Sequence, residues 1–473
     1  MNIIGRKKEI EILKSAMDSK QSEFVVVYGR RRVGKTFLVD EFFSKQYSFF
    51  ATGVAEEGKD NQLKSFDMFL KRYGYNLKSR SKDWFEAFSS LISFLELPDV
   101  KRDPITNKRI IFLDELPWFD TAKSDFKAAF DYFWNGYCSK YNDIVLIVCG
   151  SATSWIINNL LSSTGGFYKR ITKKIFVEPF TLRECEQFFV RNNVNFSRET
   201  KTETYMIFGG IPYYLNMINH RFSLIQNVEY LFFGSNAPLK NELNDLLASL
   251  YKNHSKHLKV IEALTKNKKI GLTRNDIVEK TNLNGETLTN ILLELEDCNF
   301  IRKYNNFSHN KTSHIYQLID PFIYFSIGIL GKDKPVSWTS FVNTPRYNIW
   351  KGNSFELVCL NNIESIKSAL HIDGIDSNIY SWKSRKGENG AQIDLLIDRA
   401  DKIINLCEMK YYNSKFSIDK KYEVCLQNKM KCFLEETKPE KSIQMTIVTS
   451  KGLEHNSYSE IIMHELTLDD LFN

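Results

Sequence analysis

Two groups of side chains in this chain have the types and spacing to do chemistry on phosphates. Gly29-Arg30-Arg31-Arg32-Val33-Gly34-Lys35-Thr36 fits the pattern GxxxxGK[ST], with an apolar segment, Phe24–Tyr28, before it and an amphipathic stretch, Phe37–Phe43, after it. Glycines at 29 and 34 let the backbone curl so that its N–H groups face phosphate oxygens, and the helix that follows offers its N-terminus to the same anion. Lys35 would neutralise the β and γ phosphates of a nucleoside triphosphate, and Thr36 would hold Mg²⁺ through its hydroxyl. Arg109–Glu115 (RIIFLDE) reads as an apolar strand ending in two acids. Asp114 suits Mg²⁺ ligation, and Glu115 suits orienting or deprotonating the attacking water; a strand followed by solvated acids fits the same letters. Asp143–Ser151 is another apolar run, ending in Gly150-Ser151. Ligands of a parallel sheet sit at strand ends, so Ser151 could sense the γ-phosphate or place the water, although Gly-Ser is also an ordinary turn. Arg170, after Gly165-Gly166, could stabilise transition-state charge in its own subunit or a neighbour's, or be a surface arginine.

The second group is Asp394, Glu408 and Lys410. Positions 394 and 408 are equidistant from 401, so a hairpin tip at Ala400–Lys402 would set the two acids opposite each other on antiparallel strands. Glu408 and Lys410 are two apart and share a face. Two carboxylates this close repel unless a cation lies between them, and Mg²⁺ with its oxygen ligands is the natural one. Lys410 could then polarise a water or the phosphate, which is the chemistry of metal-assisted phosphodiester hydrolysis. An exposed hairpin with a cross-strand lysine–acid salt bridge fits the same residues.

The elements that must position these groups fall into three blocks. Residues 1–235 alternate short apolar runs with helical patterns, the mark of a parallel α/β sheet. Phe24–Tyr28, Ile110–Leu113 and Ile144–Cys149 read as strands buried on both faces, with helices over Asp83–Leu97 and Ser124–Tyr137. Residues 240–330 read helix (His257–Thr265), helix (Thr273–Lys280), turn, helix (Glu286–Cys298), then a hairpin of Phe300–Tyr304 and His314–Leu318, an order that resembles a winged helix. Thr287, Thr289 and Asn290 would face a base edge or phosphate, with Lys303 and Lys311 on the wing. Ten Lys/Arg against eight Asp/Glu over 256–320 is not a clear basic stripe, and protein docking is the other use of such a module. Residues 346–473 read αβββαβ: helix Ser354–Leu370, strands Asn378–Lys383, Gln392–Asp398 and Ile403–Lys410, helix Ser417–Glu435 and strand Ile443–Thr449.

Composition sets the outer limits. With 473 residues, 43% hydrophobic and 26% charged, the chain has a globular composition, and disorder, collagen and a coiled-coil rod are poor readings of it. A formal charge of +7 permits nucleic acid as a partner without demanding it. Eight cysteines without a CxxC pair read as reduced thiols of a cytoplasmic protein. No leader is legible in MNIIGRKKEIEI, and the longest apolar run, around Pro321–Leu330, is about half of what a membrane helix needs. Aromatic residues, at 14%, are assigned to cores.

Asn2–Leu13 (NIIGRKKEIEIL), the GRRRVGKT loop, FLDELPW, GSATSW and Gly209–Leu215 (GGIPYYL) occur in one order that resembles the archaeal-type AAA+/STAND ATPases, relatives of the origin-recognition ATPases. The resemblance implies a P-loop NTPase with a helical lid that binds ATP and Mg²⁺. It places Gly5 and Arg6 near the adenine, loop residues 29–36 and Phe37 around the phosphates, and Gly210, Ile211 and Pro212 in the lid's nucleotide contact. Lys169 stands where many members carry a glycine before the arginine that Arg170 matches. The last block is similar to the PD-(D/E)xK nuclease superfamily, a restriction-endonuclease-like fold with the same αβββαβ order, although Ile393 replaces its common proline. Glu356 then matches an acidic metal position, and Gln427 a weaker site position. The leading expectation is an ATP-hydrolysing protein acting on DNA, with ATP-driven closure coupled to a Mg²⁺-dependent nuclease-like tail. The alternatives are a slow ATPase switch whose tail holds DNA or a protein without cutting, and a scaffold with no nucleic acid. A homo-oligomer is compatible with either; a membrane is not expected.

Overall fold

The computed structural model describes every residue except 1, 152, 163–166, 168, 252, 267–270, 306, 308–313, 332–333 and 385–390. Lys311 and the Gly165-Gly166 pair lie outside the described residues. The chain divides into two compact units, Met1–Pro179 and Phe180–Asn473. The helices from Leu182 to Phe233 lie in the second of these units.

The first unit is built on five parallel strands: β1 (Glu23–Tyr28), β2 (Phe49–Thr52), β3 (Arg109–Asp114), β4 (Ile144–Gly150) and β5 (Lys173–Phe176), in the order β2-β3-β4-β1-β5. β3 and β4 are buried along their whole length, as their two-sided apolar runs predict. One face is covered by Trp84–Leu95 and Phe126–Tyr132, and the aromatic surplus is spent here: Phe24, Phe66, Trp84, Phe88, Phe126 and Phe130 are almost entirely buried in one cluster. Asp83 begins the first of these helices by accepting a hydrogen bond from the Glu86 N–H at 2.9 Å. The helix expected at Ser124–Tyr137 loosens after Tyr132 into a π-turn, Phe133–Tyr137.

The second unit carries a three-stranded antiparallel sheet, β6 (Leu272–Thr273), β7 (Ile301–Asn305) and β8 (His314–Leu318), in the order β6-β8-β7. Helices His254–Lys266, Arg274–Thr281 and Gly285–Asp297 pack on it. Beyond it lie β9 (Ser377–Lys383), β10 (Gln392–Arg399), β11 (Ile403–Lys410), β12 (Phe416–Ser417), β13 (Ser442–Thr449), β14 (Leu453–Glu454) and β15 (His464–Leu466). Five of these form a mixed sheet ordered β15-β13-β11-β10-β9, and β12 pairs separately with β14. β9, β10 and β11 form an antiparallel meander, and β13 returns parallel to β11 through the helix Lys420–Thr437.

One expected helix, Ser354–Leu370, is two. The first, Pro345–Asn361, starts nine residues early because Thr344 caps it and Pro345 fits its first turn. It stops at Asn362, whose side-chain oxygen accepts a hydrogen bond from the Leu182 N–H at 2.9 Å, and Ile363–Ala369 follows as a separate helix.

Two sets of contacts tie the second unit together. Phe307, beyond β7, packs against Tyr380 and Phe433, and Arg302 donates to the Ser381 hydroxyl at 3.2 Å, so the hairpin is docked on β9. Glu203, on the helix Arg198–Phe208, accepts hydrogen bonds from the Tyr347 and Tyr411 hydroxyls at 3.2 and 3.5 Å and pairs with Lys351. That helix ends at Gly209, in the left-handed region, and leads through Gly210 into the short helix opened by Pro212.

Candidate functional site

At the carboxyl ends of β1, β3 and β4, the first unit gathers the residues singled out from sequence. β1 ends at Tyr28, and the loop 29–34 leads into the helix Lys35–Phe42, with Gly34 at φ 89° as its N-cap. Gly29 has φ +135°, and a Cβ there would lie 2.5 Å from the Val177 carbonyl oxygen. No L side chain tolerates both conditions, so Gly29→Ala is expected to destabilise the first unit by about 1–3 kcal/mol, read as a lower urea midpoint.

Lys35 is buried, and its Nζ donates to the carbonyl oxygens of Gly29 and Arg30, each at 2.9 Å. The ammonium group is thus held in the mouth of the loop. Arg6, itself buried, donates to the Val33 carbonyl oxygen at 3.2 Å, so the Gly5-Arg6 segment braces the loop from outside. Arg30 and Val33 are buried, whereas Arg31 and Phe37 are exposed and Arg32 takes φ 73°.

The acids lie across the loop. Thr36 Oγ1 donates to Asp114 Oδ2 at 2.9 Å, joining the two residues expected to share Mg²⁺. Burial, then the neighbouring Glu115 charge, pushes the Asp114 carboxyl above its ordinary range, although the Thr36 hydroxyl opposes the shift. A buried carboxylate that resists its own charge, beside a hydroxyl oxygen, is a donor set that a hard divalent cation stabilises, so the residues fit Mg²⁺. Glu115, at φ 46°, accepts from the Ser151 N–H at 3.2 Å and hydroxyl at 2.9 Å. Thr36 with Asp114 and Glu115 with Ser151 therefore form two adjoining pairs at the strand ends.

Residues 3–218 match the family described as an ATPase domain predominantly from Archaea. That stretch is an archaeal-type ATPase domain. ATP binding and hydrolysis are the activity that goes with it. An uncharacterised protein of Methanocaldococcus jannaschii is 26% identical over 326 residues, which is 68% of this chain and 67% of the relative. An uncharacterised ATP-binding protein of the same organism is 37% identical over 43 residues, 9% of this chain and 73% of the relative. Among solved structures, a Walker-type ATPase of Pyrococcus abyssi is 18% identical, with a TM-score of 0.49 over 69% of this chain and 97% of that one. The ORC2 protein of Aeropyrum pernix in its ADPNP–ADP complexes is 13% identical, with a TM-score of 0.42 over 68% of this chain and 92% of that one.

Arg170, expected at the nucleotide, is not gathered at the loop. Arg170 precedes β5, whose first residue pairs with Val25, so it lies at the amino end of the sheet, where it forms an ion pair with Asp131. Pro212 opens the short helix Pro212–Leu215.

The tail of the second unit holds the other candidate group. The β10–β11 register, Leu395 opposite Cys407 and Asp398 opposite Ile404, is centred on Asp401, as the spacing predicts. Asp394, Glu408, Lys410 and Glu356 line one hollow of about 190 Å³ together with Gln392 and Lys429. Gln427, expected to face it, is exposed and donates to Glu423 instead; Asn428 and Lys429 line the hollow. Glu408 is 7% exposed. Its Oε1 accepts from the Tyr422 hydroxyl at 2.7 Å and pairs with Lys410 at 2.8 Å, while Oε2 pairs with Lys429 at 2.7 Å. Burial alone would raise its pKa, but the two ammonium groups prevail and hold it down at about 2. Gln392 donates its amide N–H to Asp394. Among the described residues, no three His, Cys, Asp or Glu side chains stand close enough to share a metal. Oxygen donors of the right kind are present, but Glu408 already has its cations, so the hollow as it stands does not fit Mg²⁺.

Tyr422 and Lys429 were not legible as site residues in the sequence. Their seven-residue separation, two turns on one helix face, was the available signal.

Proposed function

We propose that the chain is an ATP-hydrolysing switch that acts on DNA through its second unit. The observation that carries this reading is the β10–β11 hairpin, which brings Asp394, Glu408 and Lys410 to one hollow in the same chain as an ATPase domain. In the ATPase domain, Lys35 exchanges the Gly29 and Arg30 carbonyls for the β and γ phosphate oxygens, and Thr36 and Asp114 hold Mg²⁺. Bound there, the metal offsets phosphate charge. Glu115, set by Ser151, orients the attacking water. Arg170, at the far end of the sheet, meets a nucleotide only in a second copy of the chain.

The DNA half rests on two features of the second unit. The order helix, β6, helix, helix, β7–β8 hairpin is that of a winged helix, and Thr287, Thr289 and Asn290 on its third helix are exposed, as is Lys303. The meander β9–β10–β11 with β13 returning parallel to β11 is the order of the PD-(D/E)xK core. The test is full-length protein with supercoiled plasmid and single-stranded DNA, with and without Mg²⁺ and ATP. Mg²⁺-dependent nicking by the wild type and none by Glu408→Gln, with ATP turnover intact in both, would establish cutting despite the occupied Glu408. Equal cleavage by the two proteins removes the nuclease half.

A second reading, a switch whose tail holds DNA without cutting it, is favoured by the Tyr422, Lys410 and Lys429 contacts that occupy Glu408. Salt-dependent DNA binding with no product selects it. No gel shift at low salt selects a scaffold without nucleic acid.

A further inference from the structure

Glu408 presents both its oxygens to donors, and two of the three donors come from one helix. Lys420–Thr437 is anchored by Leu426 and Phe433, both fully buried, and is started by Asp419, which accepts from the Tyr422 N–H at 2.7 Å. Its face toward the hollow carries Tyr422 and Lys429 two turns apart, so both reach Glu408 at 2.7 Å without strain in the helix. The hollow's lining counts three carboxylates, Glu356, Asp394 and Glu408, against two ammonium groups, Lys410 and Lys429. Arg302 also acts on Asp394 from β7, so three cations face the three carboxylates; without Lys429 one negative charge would be left uncompensated, and Glu408 Oε2 would lose its ion pair.

We infer that Lys429 is the resident counter-cation of the tail hollow: it stands where a divalent cation would meet Glu408 and keeps the hollow's affinity for such a cation low. This rests on the reading of the hollow as a metal-dependent phosphodiester site. Lys410 belongs to the same strand as Glu408 and remains beside it, whereas Lys429 reaches in from the helix and is the donor whose withdrawal frees an oxygen. A metal and Lys429 are therefore alternatives at Oε2. Two cations forced together there would repel, whereas Oε2 freed of Lys429 would face the hollow with Asp394 and Glu356 as further oxygen donors.

The probe is Mn²⁺, followed by the electron paramagnetic resonance signal of the free ion. It is titrated without nucleotide into full-length protein carrying Asp114→Asn, which removes the carboxylate of the ATPase domain from the count. Lys429→Gln in that background is expected to tighten Mn²⁺ binding by about tenfold or more, the scale of effects from groups that contact metal ligands. Lys429→Arg keeps the charge and is expected to bind as the parent does. Adding Glu408→Gln to Lys429→Gln is expected to abolish the gain. A parent that binds Mn²⁺ with the same or higher affinity than a folded Lys429→Gln, as judged by its melting transition, overturns the inference and leaves the metal reading standing. No Mn²⁺ bound by either protein overturns the metal reading and the inference together.

Discussion

Lys35→Ala is expected to end nucleotide turnover. The Lys35 ammonium is enclosed by the loop it serves, 2.9 Å from two of its carbonyl oxygens, so its charge is poised for phosphate in a site largely shielded from water. A charge-assisted hydrogen bond to a phosphate contributes about 1.5–3 kcal/mol, so ATP affinity should fall by about ten- to a hundredfold. Hydrolysis should fall further, by about 10²–10³, because the charge that develops in the transition state loses its preorganised partner. Titration calorimetry and phosphate release measure the two effects separately. Lys35→Arg is not a rescue, since a planar fork cannot repeat a point charge in that space. Wild-type affinity in Lys35→Ala would remove the loop from nucleotide binding.

The second large effect is on hydrolysis alone. Glu115→Gln keeps the shape of the side chain and leaves a carbonyl oxygen to accept from Ser151, but it cannot take a proton or hold charge against the water. Loss of a general base costs about 10²–10⁴ in rate, so turnover should nearly stop while ATP stays bound. Affinity should not drop, because the Glu115 charge is one of the causes that push Asp114 toward its protonated form. Removing that charge makes Asp114 a better anion for a cation. The check is a trapped ATP complex by filter binding beside single-turnover hydrolysis. Unchanged turnover would show that the water is activated elsewhere.

Both predictions depend on residues visible in the sequence because their signal is local. The loop pattern, the strand ahead of it and the acids at the end of RIIFLDE depend on neighbours in the chain, and the hairpin centred on Asp401 depends only on spacing. What was missed depends on distant contacts or on weak periodicity. β2 and β5 are four residues each, and β5 (KKIF) has only one buried residue. Without β5, the sequence offered no way to see that Arg170 falls at the amino end of the sheet. The break at Asn362 is made by a hydrogen bond from Leu182, 180 residues away. On the helix Lys420–Thr437, the distinction between Gln427 and Lys429 is one of rotation, and only packing of Leu426 and Phe433 sets it.

The Glu203 junction has a mechanical meaning. It bolts the helix that runs into Gly209 and Gly210 to Tyr347 and Lys351, on the helix that also carries Glu356, and to Tyr411, the residue directly after Lys410. With three side chains converging on one carboxylate, this arm has no elbow. A movement of the helix that ends at Gly209 would therefore have to carry or break the contacts that reach the strand bearing Glu408.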